Sequence, residues 1–407
     1  GPAGLAAAIQ AAKQHVSVLL LDREEELGGI LQQCIHPGFG VVLFDKMWTG
    51  PEYAQHFIDE LVNLPIEIKT QTMALEIRSD NTIIASNKED GLFIVHAKAI
   101  VLAMGCRERT RAQILLPGTR PAGIYTAGTA QRLMNIEGLM PGSRVVILGS
   151  GDVGLIVARR FILEGATVEG VYEILPEPSG LTRNIVQCLH DFDIPLHLSH
   201  TVTSVCGNER VTGVYVAEID KNTLKSKKES ERFVSCDTLI FAVGLIPENE
   251  LSKQISLSMD PVSGGPLVDQ FMGTSQPGVY ACGNVVQVFD LVDDVTLSGF
   301  IAGEQAAGFV NGSNNDDELI HLKPGANVAM VVPQLIRRCG KTDVTIYVRV
   351  KHKMRETSCT IESKEKTFFS KYLNIAKPSE LLKITIPMSI LHEVEEEQLM
   401  IHMRGDS

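Results

Sequence analysis

The feature that most constrains this chain is Gly149-Ser150-Gly151-Asp152-Val153-Gly154, set between the apolar run Arg144-Val145-Val146-Ile147-Leu148 and a helical pattern over 155–164. Backbone N–H groups approach a pyrophosphate closely only where side chains are absent, and a helix N-terminus adds the positive end of its dipole. Alone the pattern is weak; between a strand and a helix it becomes fairly specific for a dinucleotide site. A ligand-free glycine turn is the alternative. The next strand, over 168–172, ends on Glu173, which follows Gly154 by 19 residues. That is close to the roughly 20 expected of an acid that accepts from a ribose 2′-hydroxyl, and it favours NAD over NADP. Arg183 follows and offers a competing place for a 2′-phosphate.

A second, partial fingerprint opens the chain. Gly1-Pro2-Ala3-Gly4 reads as its last two glycines, with the strand and first glycine expected upstream of Gly1. A helix over 4–13 and a buried strand over 16–21 follow, ending on Asp22, 18 residues after Gly4. Gly28-Gly29 comes just after. Two more apolar runs stop on glycine, one at Gly105 and one at Gly244, where an enzyme with two dinucleotide sites would place its cofactor turns.

Length admits two or three domains with substantial cores. With 49 acidic and 37 basic residues, net charge −12, and no block of Lys and Arg, nucleic acid is a poor partner. The eight cysteines show no C-x-x-C and no spacing of a zinc site. They read as reduced thiols of a cytoplasmic protein. No apolar run reaches membrane-spanning length. The polar stretch 311–318 reads as a linker to a small β-rich terminal domain, with strands over 344–350 and 382–387.

Taken together these motifs resemble the two-dinucleotide flavoproteins related to pyridine nucleotide-disulfide oxidoreductases. Gly278-Val279-Tyr280-Ala281-Cys282-Gly283-Asn284 resembles their second flavin motif, with Asn284 in place of the usual Asp. More narrowly, 28–40, 49–54, Gly105-Cys106-Arg107-Glu108-Arg109 and 116–131 resemble a branch associated with glycerol-3-phosphate dehydrogenase-type subunits. That branch is similar to the α subunits of opine, sarcosine and hydroxyproline-type dehydrogenases. The resemblance implies an α/β fold of two Rossmann-like domains: a discontinuous FAD domain (1–115 and 246–312), an inserted NAD(P) domain (116–245), and the terminal domain (313–407). It places FAD at Gly1, Gly4, Asp22, Gly28, Gly29, Gly105, Arg107, Gly283 and Asn284, and NAD(P)H, NAD favoured, at Gly149, Gly151, Gly154, Glu173 and Gly244.

The implied activity is hydride transfer between NAD(P)H and flavin, as the electron-transfer subunit of a glycerol-3-phosphate-type dehydrogenase complex. A small-molecule substrate or electron acceptor, and a second dehydrogenase subunit or a second copy, are the implied partners. A self-sufficient NAD(P)H oxidase or quinone-type reductase, an amine dehydrogenase subunit, and a catalytically silent scaffold are the alternatives.

Cys34 is the only cysteine near Gly28-Gly29, and Phe39 stands where a C-x-x-x-x-C pair would need its second thiol. Electrons are therefore expected to bypass a protein disulfide. By resemblance the loop carrying Cys34 and His36 approaches the flavin, which makes both candidate catalytic residues; a packed thiol and a structural imidazole are the plainer readings. Arg107, Glu108 and Arg109 either orient the flavin, close a domain interface or form a surface ion-pair cluster. A long helix over 298–310 is expected to point its N-terminus toward the flavin pyrimidine edge, with Asp293 and Asp294 capping it.

Overall fold

The computed structural model describes residues 1–220, 222–313, 318–338, 340–363 and 366–406. The chain forms two compact units, Gly1–Cys106 with Pro247–Ser407, and Arg107–Ile246. Its α-helices among the described residues are α1 (Pro2–Lys13), α2 (Gly50–Leu61), α3 (Ala127–Asn135), α4 (Asp152–Leu163), α5 (Thr182–Cys188), α6 (Glu250–Gln254), α7 (Val292–Val310) and α8 (Met388–His392).

In the first unit the alanine-rich α1 is mostly buried, and Pro2 opens it where no intrahelical N–H is required. It lies against α7 at backbone distance. A Cβ on Gly299 would fall 2.3 Å from the Ala3 carbonyl oxygen, and one on Gly303 2.2 Å from that of Ala7. Small residues on both helices are thus a steric requirement of this pairing. Strand Val18–Leu21 pairs in parallel with Ile66–Lys69, and Ile100–Leu102 with Val279–Ala281. A three-stranded meander (Met73–Ile77, Thr82–Asn87, Gly91–His96) completes this part. Helix α2 starts with a capping box: Thr49 N donates to Glu52 Oε2 (2.8 Å) and Glu52 N to Thr49 Oγ1 (3.4 Å).

The terminal residues build two sheets, one of five strands and one of three, around a core that includes Ile320, Ile346, Val348, Cys359, Ile384 and Leu399, all fully buried. Met330 and Val332 of this region join the core formed by Ala3, Leu102, Ala281 and Ala302, so the terminal module and the preceding residues share one unit. Of the expected linker, 314–317 lie outside the described residues, as does Cys339.

The second unit is a five-stranded parallel sheet in the order Ile124–Thr126, Thr238–Phe241, Arg144–Leu148, Thr167–Glu173, Leu196–Leu198. A three-stranded antiparallel sheet (His200–Gly207, Val211–Glu218, Arg232–Val234) accompanies it. The central strands are apolar and buried along most of their length, as a sheet covered on both faces requires. The chain enters this unit at 106/107 rather than at 115/116. Residues 107–115 go with it because Arg111 donates to the carbonyls of Leu116, Pro117 and Thr119.

No helix among the described residues is long and apolar enough to cross a membrane.

Candidate dinucleotide sites

In the second unit the chain runs outward from Arg144–Leu148 to Thr167–Glu173 and Leu196–Leu198, then returns to place Thr238–Phe241 on the other side of Arg144–Leu148. The strand order therefore reverses between Arg144–Leu148 and Thr238–Phe241, and ligands of open α/β sheets bind beyond the carboxyl ends of strands at such a reversal. Gly149 and Gly244 lie past those two ends, with φ of 98° and 99°. The three fingerprint glycines divide the work. A Cβ on Gly149 would sit 2.2 Å from the Ala242 carbonyl oxygen, and one on Gly154 would sit 2.5 Å from the Ala242 Cβ. At Gly151 the nearest atom would be 3.7 Å away. The first and third glycines allow the tight turn and close packing; the second leaves an open side for phosphate at the N-terminus of α4. These residues fit a dinucleotide.

Glu173 is 4% exposed. Its Oε2 accepts from Ser150 N (3.0 Å), Ser150 Oγ (2.5 Å) and Ser179 Oγ (3.0 Å), and its Oε1 from Leu175 N (3.0 Å). A carboxylate has about four lone-pair positions. The acid expected to receive a ribose hydroxyl thus has its Oε2 fully engaged inside the protein and its Oε1 tied once, to Leu175 N. Ser150 and Ser179 were missed by the sequence reading, since nothing but the second position of the fingerprint marks Ser150.

In the first unit, Gly1, Gly28, Gly29 and Gly283 come together around the start of α1. A Cβ on Gly29 would fall 3.0 Å from Gly1 Cα, one on Gly283 2.8 Å from the Ala3 Cβ, and one on Gly4 3.4 Å from the Ala103 Cβ. Asp22 Oδ1 accepts from Glu24 N at 3.1 Å, and its other oxygen lies 3.7 Å from the Gly1 nitrogen. Gly105 (φ 74°) and Gly283 (φ 70°) follow the paired parallel strands Ile100–Leu102 and Val279–Ala281. Asn284 Nδ2 lies 3.6 Å from Cys106 Sγ, and Asn284 Oδ1 accepts from Phe289 N at 3.1 Å. Gln287 is fully buried, and neither its amide oxygen nor its nitrogen has a partner among the described residues. Such orphaned groups normally mark a place for a water or a polar ligand. The open glycine turns and the unpaired amide fit a flavin dinucleotide.

Arg107 is the first residue of the second unit and is exposed. In that unit Glu108 Oε1 accepts from Gly128 N (2.8 Å) in the first turn of α3, where helix polarity favours a carboxylate.

Cys34 donates to the Ile30 carbonyl (3.3 Å), and burial pushes its thiol up to about 12. A thiol so raised stays protonated at neutral pH, which favours the packed-thiol reading over a nucleophile. His36 Nδ1 lies 3.2 Å from the Pro37 carbonyl, and its ring packs on Phe39 at 5.1 Å. No disulfide joins any two of the seven described cysteines.

Helix α7 begins at Val292, earlier than the sequence pattern suggests; its N-cap is Leu291, which makes no side-chain cap bond, and Asp293 and Asp294 lie in its first turn rather than at the cap. They reach across the unit. Asp293 Oδ2 accepts from Val42 N (3.0 Å) and its Oδ1 from Tyr53 Oη (3.3 Å), while Tyr53 also meets Thr296 Oγ1 at 2.8 Å. Asp294 Oδ1 takes Tyr347 Oη and Lys383 Nζ; Asp290 takes Arg349 and Leu381 N. Buried carboxylates are satisfied by whichever donors surround them, and here tertiary donors outnumber those of the helix end.

The sequence profile described as pyridine nucleotide-disulphide oxidoreductase matches residues 1–299. The chain belongs to that family. Membership makes it an oxidoreductase and implies FAD and NAD(P)H as cofactors. Among relatives, this family member is 26% identical over 312 residues to the hydrogen cyanide synthase component HcnB of Pseudomonas protegens, covering 70% of this chain and 64% of that one. It is 24% identical over 305 residues to an opine oxidase subunit of Agrobacterium tumefaciens, covering 70% and 59%. It thus spans less than two thirds of the length of these relatives. Among solved structures, thioredoxin reductase of T. acidophilum shares the fold, with TM-score 0.62, 24% identity, and coverage of 77% of this chain and 96% of that one.

Proposed function

We propose that this chain is the flavin- and nicotinamide-binding component of a partner-dependent dehydrogenase. Residues 1–106 with 247–312 hold FAD, and 107–246 hold NAD(P)H. The observation that carries the reading is that each unit sets glycines of positive φ at the ends of neighbouring parallel strands, Gly105 with Gly283 and Gly149 with Gly244.

Bound flavin supplies the hydride-accepting chemistry, and the protein supplies orientation and exclusion of water. Gly151 leaves room for phosphate, and the first turn of α4 directs its N–H groups there. In the first unit the turn at Gly28-Gly29 and the start of α1 take the pyrophosphate, and Asp22 takes the adenosine ribose. Asn284 and Gln287 serve the more distal part of the flavin. With Cys34 lacking a second cysteine in its loop, where Phe39 stands instead, electrons leave the flavin without passing through a disulfide there.

The component character of HcnB and of the opine oxidase relative, each named as one subunit of a larger enzyme, supports a partner-dependent dehydrogenase of the opine or amine type over a self-sufficient oxidase. The glycerol-3-phosphate reading rests on resemblance alone. Turnover decides between partner-dependent and self-sufficient action: reduction of flavin by NAD(P)H without sustained oxygen consumption supports the former, and rapid turnover with oxygen alone refutes it.

A further inference from the structure

We propose that Glu173 is a positioning residue that clasps the loop 174–181 onto the fingerprint turn, and that it is not the acceptor of the ribose 2′-hydroxyl. It follows that this site does not use Glu173 to choose between NAD and NADP. The inference rests on the reading of 107–246 as a dinucleotide domain.

The clasp is built from several points. Besides the four bonds to Glu173, Ser179 N donates to Ser150 Oγ at 2.9 Å. Asp152 Oδ1, in the first turn of α4, accepts from Leu181 N (2.9 Å) and Asn184 Nδ2 (2.6 Å). Gly180 sits so close that an added Cβ would lie 2.8 Å from the Ser150 carbonyl oxygen and 2.7 Å from Leu155 Cδ1. The loop is therefore fastened to the turn between Gly149 and Gly154 through Ser150, Asp152 and Glu173 together.

An acid that discriminates against NADP must turn a lone pair toward the ribose and meet a 2′-phosphate with unshielded charge. Glu173 is poorly disposed for either role, being turned inward onto the fingerprint turn and the loop. Three of its four accepted bonds, two from hydroxyls and one from a backbone N–H, converge on Oε2, the fourth ties Oε1 to Leu175 N, and almost none of the side chain reaches solvent. What it does control is the shape of the turn. Ser150 N is an amide of the fingerprint itself, so fixing it fixes where the neighbouring amides point.

The test is calorimetric titration of the oxidised holoprotein with NAD⁺ and with NADP⁺, for wild type, Glu173→Gln and Ser179→Ala. The proposal expects Glu173→Gln to weaken both nucleotides by the same factor, on the order of tenfold, because both need the same phosphate turn. Ser179→Ala, which keeps the acid and removes one donor, weakens both to a smaller and equal extent. Amide exchange at 174–181 rises in both variants even without nucleotide.

A selective loss of NAD⁺ in Glu173→Gln, with NADP⁺ unchanged or tightened, overturns the proposal. So does tighter NAD⁺ binding alone in Ser179→Ala, because a freed lone pair would then have found the ribose. Unchanged exchange at 174–181 sinks the clasp whatever the nucleotides do. If wild type binds neither nucleotide while exchange rises in the variants, the domain assignment fails and the clasp stands.

Discussion

Lys383 Nζ lies 2.6 Å from Asp294 Oδ1, which joins strand Leu382–Ile386 of the terminal module to the first turn of α7. Asp294 is nearly buried and also accepts from Tyr347 Oη at 2.9 Å. Lys383 is 41% exposed, so its Coulombic share is screened and Lys383→Met is expected to cost no more than about 1 kcal/mol. Asp294→Ala strands two donors and should cost about 2–3 kcal/mol. Urea unfolding of the two variants checks the order; equal losses would mean that the lysine carries the link.

Helices α1 and α7 meet where Gly303 leaves no room for a Cβ, since backbone rather than a flexible side chain faces it. Gly303→Ala should therefore destabilise by about 1–3 kcal/mol, in spite of the better helix propensity of alanine. A thermal scan that shows an unchanged or raised midpoint would contradict this packing.

Cys236 and Cys282 are buried, and burial pushes each thiol up to about 12 from an ordinary value of 9.0. Raised folded values mean that the stability they allow is intact below the unfolded pKa and is lost as pH rises from 9 toward 12, because the unfolded chain ionises first. Stability should fall over that window, and Cys282→Ala should flatten the slope. An identical slope in the variant would remove Cys282 from the account.

Cys34 should resist alkylation by iodoacetamide in the folded protein at about pH 8 and react freely once urea unfolds the chain. Rapid labelling of native Cys34, read by peptide mass, would restore it as a candidate nucleophile.

The elements that position both sites were legible because each is a local pattern. The run Arg144–Leu148, its glycines and the following helix stand in the structure within a few residues of where periodicity places them. Glu173 was legible as a strand end but not as a clasp, because its donors Ser150 and Ser179 become neighbours only through the fold. The aspartates of α7 were misread as caps for the same reason: Val42, Tyr53, Tyr347 and Lys383 lie far off in sequence, and local rules weigh only the helix end. The capping box at Thr49-Gly50-Pro51-Glu52 carried a readable signal, an acid three residues after a threonine with proline between.

The central claim is that one chain binds flavin and accepts hydride from a nicotinamide dinucleotide. The most direct measurement is an anaerobic visible spectrum of the purified protein, reconstituted with FAD, before and after addition of NADH or NADPH. The account predicts an oxidised flavin band that bleaches with at least one of them. A protein that retains no FAD after reconstitution, or a flavin band that neither nucleotide bleaches, would contradict it.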